Sequence, residues 1–401
     1  MKNLPVDEAR AIMLAHVEPL AQESVSLFEA DGRVLGEMVD ALRPHPPFTA
    51  SAMDGWAVRD LDVTGPGVRL TIVGESAAGR PFDGEVGPGE AVRIFTGAPM
   101  PVGADAVVIQ EEAERDGDQV TIKVGPAPHA NVRPMGGDFR TGDQLLAPGV
   151  RLDPWRIGLA AAAGRAELRV RRRPRVAILS TGEEIVPAGA EPSPFQIYDS
   201  GTPALASLVR GWGGEAARLK PARDDKAAIV EAVRGEACDL IVTIGGASVG
   251  DYDLVKPALA ELGLELKVES LKMRPGKPTW FGVLADGRRV LGLPGNPASA
   301  LACAQLFLRS LVLASQGADP ALRLIQAVLA KPAPANGPRE HWMRARLSHD
   351  GPTLVAEPMG DQDSSLVKVF ADADALLRRP PDAPHAEAGT MVEVLPLERL
   401  R

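Results

Sequence analysis

The chain has 401 residues, with 44 Lys and Arg against 53 Asp and Glu, for a formal charge of −9. At roughly 150 residues per domain this length predicts two to four domains, each large enough to bury a core. The acidic balance excludes a surface built to neutralise nucleic-acid phosphates along its length, so nucleic acid is not an expected partner and any anion site is local.

Two cysteines, Cys238 and Cys303, give no basis for a disulfide framework or a thiolate metal site. The six histidines never take the helical spacing of a zinc site. The first residues, MKNLPVDEAR, lack the apolar run of a signal peptide. The longest apolar stretch, Pro297 to Leu313, carries Gln305 and Arg309, which suits a core helix rather than a membrane span. The expectation is a soluble protein of the reducing cytoplasm, with no membrane partner.

Apolar residues at Val6, Ala9, Ile12, Met13 and Val17 recur at helical period and predict an opening helix. From about 48 to 145, short β-branched runs alternate with Gly, Pro and Asp clusters, which predicts an all-β insert. Asp153-Pro154 opens a helix expected to pack on the first one. Arg165, Arg169, Arg171, Arg172, Arg173 and Arg175 read as a solvated interdomain linker, the alternative being a phosphate or nucleic-acid patch. From Arg175 onward, strands (176–179, 217–219, 240–244, 264–268) alternate with helices (203–211, 226–233, 255–262), predicting a parallel sheet covered on both faces. Asp286-Gly287 marks a hairpin, and Asn296-Pro297 starts another helix. Past Pro332, short alternating runs predict a small terminal β barrel or sandwich. The fold class expected is therefore multidomain α/β. It comprises a helical region at 1–45 with 140–172, an inserted β domain at 46–139, a doubly wound α/β domain at 173–320, and a C-terminal β barrel at 321–401.

Open α/β sheets bind ligands beyond the carboxyl ends of their strands. The loops there are polar and glycine-rich: Ser180-Thr181-Gly182-Glu183-Glu184, then Tyr198 to Pro203, Arg223-Asp224-Asp225, and Gly245 to Asp253. Gly245, Gly246, Ser248 and Gly250 form a loop able to bring amides and a hydroxyl onto an anion, without the Gly-Lys-Ser/Thr ending of a triphosphatase. Glu184, Asp224, Asp225, Asp251 and Asp253 at one mouth would repel each other without a cation, and Mg2+ is the natural one; the alternative is that they are helix caps and loop charges. Arg274 and Lys277 stand on a proline-stiffened turn, and Pro294 to Ser299 presents a second helix start, a combination suited to a tetrahedral oxyanion. The insert adds Ser51 to Gly55, Arg93 to Asp105 and Arg133 to Asp138, each ordinary turn chemistry taken alone.

Taken in order, SAMDGWAV at 51, RIFTGAPMP at 93, GADAVV at 103, GGDFRTGD at 136, STGEE at 180, GGASVGDYD at 245, RPGKP at 274 and LPGNPAS at 293 resemble the molybdopterin molybdenumtransferase family, the molybdenum insertases related to the E domain of gephyrin. The resemblance spans nearly the whole chain. It implies four domains per protomer, an elongated homodimer, and a cleft between the α/β domain of one subunit and the insert of the other. It implies catalytic roles for Asp54, Thr96 and Asp138 from the insert and for Glu184, Asp224 and Asp253, the last three holding Mg2+. Ser180, Thr181, Gly182, Ser200, Gly245, Gly246, Ser248 and Gly250 would bind the pterin phosphate and nucleotide. Arg274, Lys277, Pro278, Ser299, Arg344 and Ser364 would bind molybdate, with Ser365 as a substitute for Ser364.

In two places the chain departs from the family. Arg274 stands where the family usually has lysine, and Gly201 where it usually has asparagine. The implied reaction inserts molybdate into adenylated molybdopterin with Mg2+-dependent release of AMP. A molybdopterin adenylyltransferase and recipient molybdoenzymes are the implied partners. Rival readings are an adenylyltransferase, whose fold resembles residues 175–320 alone, and a non-catalytic gephyrin-like scaffold.

Overall fold

The computed structural model describes residues 1–182, 184–219, 225–245 and 254–397. Its centre is a six-stranded sheet of β1 (Arg175–Ser180), β2 (Glu215–Arg218), β3 (Leu240–Ile244), β4 (Glu265–Val268), β5 (Trp280–Val283) and β6 (Arg289–Leu293), in the order β2-β1-β3-β6-β5-β4. Alternate residues of each strand face opposite cores, as the two-residue period of a strand requires. Val176, Ile178, Val242 and Leu291 meet Leu205, Val209 and the helical run from Pro297 on one side. Ala177, Leu179, Ile241 and Val290 meet Ile229, Val233, Val255 and Leu259 on the other.

Strands β1, β2, β3 and β6 are parallel, as expected. The sheet is nevertheless mixed, because β5 runs antiparallel to both β6 and β4. The reason is the hairpin at Asp286-Gly287: Gly287 has φ +87°, and so short a connection joins only antiparallel strands.

The opening helix, Val6–Leu14, buries Val6, Ala9 and Met13 in the central core with Val268, Leu271 and Phe281. Arg10 fixes it there by donating to Leu306 O (3.1 Å), Ser310 Oγ (3.0 Å) and Pro320 O (2.9 Å). The helix Pro154–Ala162, capped by Asp153 as predicted, lies in a separate core with Leu35, Leu152, Leu168 and Val170. The two helices thus belong to different bodies, against the expectation that they pair. The insert is a six-stranded sheet whose central strands are Gly55–Val58, Glu90–Ile94 and Arg69–Ser76.

Arg169 and Arg175 are exposed, as expected of a solvated linker, but the other four arginines of the run are half-buried and bonded to the protein. Arg165 donates to Asp40 O (2.8 Å), Arg171 to Leu20 O (2.9 Å) and Arg173 to Gly213 O (3.3 Å). Arg172 grips Asp239 with both terminal nitrogens (2.8 and 2.6 Å), and Asp239 also accepts the Arg175 amide (2.8 Å). A bidentate guanidinium–carboxylate pair is among the stronger polar contacts a chain can make. Here it staples the incoming segment to the amino-terminal edge of the sheet.

Pro297–Cys303, a π turn at Ala304–Leu308 and Arg309–Ser315 form one helical run, long and apolar enough to cross a membrane but with 89% of its apolar window buried inside the protein. The terminal strands β7 (Ile325–Leu329), β8 (Glu340–Asp350), β9 (Thr353–Pro358), β10 (Ala375–Arg379) and β11 (Met391–Pro396) close into a ring, β8-β9-β7-β11-β10, because β8 also pairs with β10. The predicted barrel is therefore present.

Replacing Asp239 with alanine removes the acceptor of the half-buried Arg172 guanidinium and of the Arg175 amide, and the expected cost is about 1 kcal/mol, since both donors can still reach water. Chemical denaturation would measure it, and an unchanged midpoint would refute the stapling role.

Candidate functional site

The carboxyl ends of β1, β3 and β6 are stitched together by backbone hydrogen bonds, Thr181 N to Ile244 O (3.1 Å) and Gly245 N to Leu293 O (3.2 Å). Gly245 has φ +89°, and a Cβ there would lie 3.0 Å from Thr181 O; a Cβ on Gly295 would lie 3.5 Å from Gly245 Cα. Three strand ends therefore meet in a floor of bare backbone, where a ligand approaches main chain rather than side chain. Ser180 and Thr181 are buried in this floor. Gly182 bends away from it with φ +130°, beneath the exposed carboxylate of Glu184.

On the neighbouring loop Asp199 is buried, accepts Thr202 N (2.9 Å) and pairs with Arg218 (3.3 Å), so it caps the helix Gly201–Gly211. Ser200 makes no such cap, and its hydroxyl has no hydrogen bond among the described residues. A Cβ on Gly201 would meet Ile244 Cδ1 at 3.0 Å, so glycine at this position is matched to isoleucine at the end of β3. Of the remaining residues named for this edge, Asp224, Gly246, Ser248, Gly250 and Asp253 lie outside the described residues.

The basic turn has a different origin. Met273 and Arg274 form a two-residue strand that pairs in parallel with Glu340 and His341 at the start of β8, and Glu340 N donates to Lys272 O (3.0 Å). The barrel thereby anchors the turn. Behind it, Gly276 has φ +111° and leaves no room for a Cβ against Cys303 Sγ, while Thr279 Oγ1 contacts the same sulfur at 3.2 Å. Burial pushes the Cys303 thiol up to about 12, which makes it an inert filler under the turn.

A cavity of about 310 Å³ opens at this seam. Arg274, Lys277, Pro278, Ser299 and Ser364, five of the six residues named for molybdate, line it together with Asn296, Arg339, Gln362 and Asp363. Arg274, Lys277 and Arg339 are exposed and form no ion pair among the described residues. Three like charges against one carboxylate, Asp363, leave the hollow net positive and favourable to an anion. Asn296 Nδ2 donates to Ser364 Oγ (2.8 Å), which joins the helix start to the barrel loop, whereas Ser365 Oγ is spent on Asp363 Oδ1 (2.6 Å). Ser364 rather than Ser365 thus faces the hollow. The Ser365 hydroxyl and amide hold the Asp363 carboxyl below the usual range.

Arg344 stands behind the wall. It is fully buried, donates from Nη2 to Asp363 O (2.8 Å), and leaves Nε and Nη1 without partners. Its backbone exchanges hydrogen bonds with Gln362 (2.9 Å each), so it holds the loop that presents Asp363 and Ser364. Arg339 and Gln362 escaped the sequence reading. The Gly337-Pro338-Arg339 turn before a strand resembles the Pro-stiffened basic turn at 274–278 and was the available signal for Arg339.

In the insert, Thr96 donates its amide (2.8 Å) and hydroxyl (2.7 Å) to Asp54 Oδ1. The amide chiefly, then the hydroxyl, hold the Asp54 carboxyl below its ordinary value, so it stays an anionic acceptor with Oδ2 free of both. Val132 and Arg133 pair with Ser51 and Ala50, bringing the third motif alongside, and Asp138 is exposed with its amide on His45 O (3.0 Å). The three insert motifs are neighbours. Among the described residues, no hydrogen bond or ion pair joins residues 46–139 to residues 173–320.

Of the three acids named for Mg2+, Glu184 alone is described, and no group of three His, Cys, Asp or Glu side chains among the described residues is arranged to hold a metal. An exposed carboxylate at the strand-end mouth does fit Mg2+, which keeps water and takes only one or two carboxylates beside phosphate oxygens.

Residues 4–164 match the MoeA N-terminal region (domains I and II), 177–314 a probable molybdopterin binding domain, and 326–397 the MoeA C-terminal region (domain IV). Molybdopterin molybdenumtransferase 2 of Mycobacterium tuberculosis is 36% identical over 402 residues, covering 97% of this chain and 98% of that protein. The molybdopterin molybdenumtransferase of Haemophilus influenzae is 32% identical, covering 99% of each. A crystal structure of the molybdopterin biosynthesis MoeA protein of Pyrococcus horikoshii superposes with a TM-score of 0.86 at 26% identity, over 99% of this chain and 100% of that one. The molecule is an enzyme of molybdenum cofactor biosynthesis. Specifically, the chain belongs to the molybdopterin molybdenumtransferase family.

His341, on the anchoring strand, is brought down to about 4 by burial and then by Arg274, Arg344, Arg339 and Arg379. The fold holds it neutral, so between pH 6.5 and about 4 the unfolded chain takes up a proton that the folded chain does not. Its contribution to stability is therefore complete above pH 6.5 and lost as pH falls toward 4. Melting curves across that window should show a smaller acid loss for His341→Phe than for the parent; equal losses would refute the assignment.

Proposed function

We propose that the protein inserts molybdate into adenylated molybdopterin with release of AMP, and the observation that carries this is the cavity whose three cations form no ion pair among the described residues, set beside a glycine-floored strand edge. Arg274, Lys277 and Arg339 hold the dianion by charge, with Ser299 and Ser364 as hydroxyl donors and Pro278 shaping the wall. Arg344 adds its charge from behind and keeps the 361–364 loop in register. Ser180, Thr181, Gly182 and Ser200, with Gly245, Gly246, Ser248 and Gly250, receive the pterin phosphate and nucleotide. The molybdate is thereby held until the dithiolene sulfurs of the pterin capture its metal.

Glu184, Asp224 and Asp253 would hold Mg2+, which supplies charge neutralisation at the phosphoanhydride that links pterin to AMP. Asp54, kept ionised by Thr96, and Asp138 complete the cleft from a second subunit. The homodimer is favoured by the lack, among the described residues, of a polar link between insert and α/β body within one chain, and by Phe28 and Trp155, 100% and 85% exposed. In this reading the protein works in the cytoplasm, receives its pterin from a molybdopterin adenylyltransferase and passes the product to recipient molybdoenzymes. Family matches on both sides of residues 177–314 disfavour the adenylyltransferase rival, whose fold resembles that region alone.

Purified protein given adenylated molybdopterin, molybdate and Mg2+ should release AMP. Losing one charge-assisted contact of about 1.5–3 kcal/mol predicts that Lys277→Met raises the molybdate requirement roughly 10- to 100-fold. Glu184→Gln should lower the rate and raise the Mg2+ requirement. Absence of AMP, or release indifferent to both variants, would refute the reading.

A further inference from the structure

A second hollow, about 450 Å³, opens on the barrel side and shares Arg274 and Gln362 with the oxyanion cavity. Arg274, Lys331, His341 and Arg379 line it, and no Asp or Glu stands among its described lining residues. Lys331 pairs with Glu357 outside the hollow and His341 is neutral, so Arg274 and Arg379 are the cations that give the wall its positive character. His341 and Arg379 are 8% and 6% exposed, and His341 Nε2 and Arg379 Nε have no hydrogen-bond partner. Buried polar nitrogens without partners are costly, and beside an open hollow a water, an ion or a ligand can satisfy them. Burial first, and then Arg274, Arg344, Arg339 and Arg379, depress the titration of His341. The rest of the wall is apolar, with Met343 and Met359 among prolines, and thioethers pack well against aromatic rings. The volume lies within the range of small-molecule sites.

We infer that this hollow binds a small aromatic phosphomonoester, its dianionic phosphate toward Arg274 and Arg379 and its ring toward Met343 and Met359, and that occupancy here opposes occupancy of the oxyanion cavity through the shared Arg274. Two dianions on one guanidinium repel and divide its donors, so the linkage is negative and reciprocal. The linkage half of the inference rests on the molybdate reading above, whereas the binding half does not.

Phenyl phosphate serves as the probe, titrated calorimetrically into the full-length protein with and without saturating molybdate. Phenyl phosphate should bind, with phenol and benzoate weaker by roughly tenfold or more, one lost charge-assisted contact. Ala335→Trp, on an exposed part of the rim, and Lys331→Gln should each weaken phenyl phosphate while molybdate binds as in the parent. Saturating molybdate should weaken phenyl phosphate roughly 5- to 100-fold, the usual span of site–site coupling. No binding at millimolar phenyl phosphate, binding untouched by both variants, or benzoate binding as tightly would overturn the site. Molybdate and phenyl phosphate binding independently would overturn the linkage. If phenyl phosphate binds in an Ala335-dependent way but molybdate does not bind at all, the site stands and the molybdate reading fails.

Discussion

The pairing of Met273 and Arg274 with Glu340 and His341 is the constraint on which the candidate site depends. A basic turn projecting from an α/β domain would ordinarily be mobile, and its charges would spread into solvent. Here the barrel takes up its backbone hydrogen bonds on one side, and Cys303 and Thr279 fill the space beneath it on the other. Arg274 and Lys277 are therefore presented at a fixed place with little conformational entropy left to lose on binding. Because Arg339 immediately precedes the same barrel strand, the anchoring pair also brings in the third cation.

This seam also explains why the helix from Pro297 carries so much of the structure. Its start gives Ser299 and Asn296 to the cavity, its π turn begins directly after Cys303, and its far end receives Arg10 from the opening helix. A π turn lets a buried helix satisfy two packing directions that one regular helix would not, at the cost of a local break in its hydrogen-bond ladder. The opening helix, the central sheet and the barrel thus converge on one element, and the strand-end floor and the oxyanion cavity sit on either side of its amino terminus.

Much of the fold was legible because its signals are local. Leu240–Ile244 is a β-branched and aliphatic run closed by Gly245, and Arg289–Leu293 is a largely aliphatic segment closed by Pro294-Gly295; both form strands with those limits. Asp153-Pro154 carries its own capping acid. The misreadings concern partners distant in sequence. An amphipathic helix announces that it will bury Val6, Ala9 and Met13, but not which body it will meet. An arginine bonded to a carbonyl, as Arg173 is to Gly213, has the same sequence signature as one in water. The reversed strand β5 follows from the Asp286-Gly287 hairpin, whose short connection forces one strand of an otherwise parallel pattern to turn back.

In the site, the turn at 274–278 and the start of the Pro297 helix were legible as stiff, charged and hydroxyl-bearing segments. That they face each other across the barrel loop was not, because the Asn296–Ser364 bond spans two domains. Arg344 shows the converse: an arginine in a polar-looking segment proves fully buried, holding a loop rather than lining the hollow. The central claim, that an inorganic dianion sits where sheet edge and barrel meet, is tested most directly by anomalous diffraction from crystals of this protein soaked in molybdate. The account predicts a molybdenum peak within hydrogen-bonding reach of Lys277 Nζ and Ser299 Oγ. A peak at another surface, or none there with the cavity open to solvent, would contradict it.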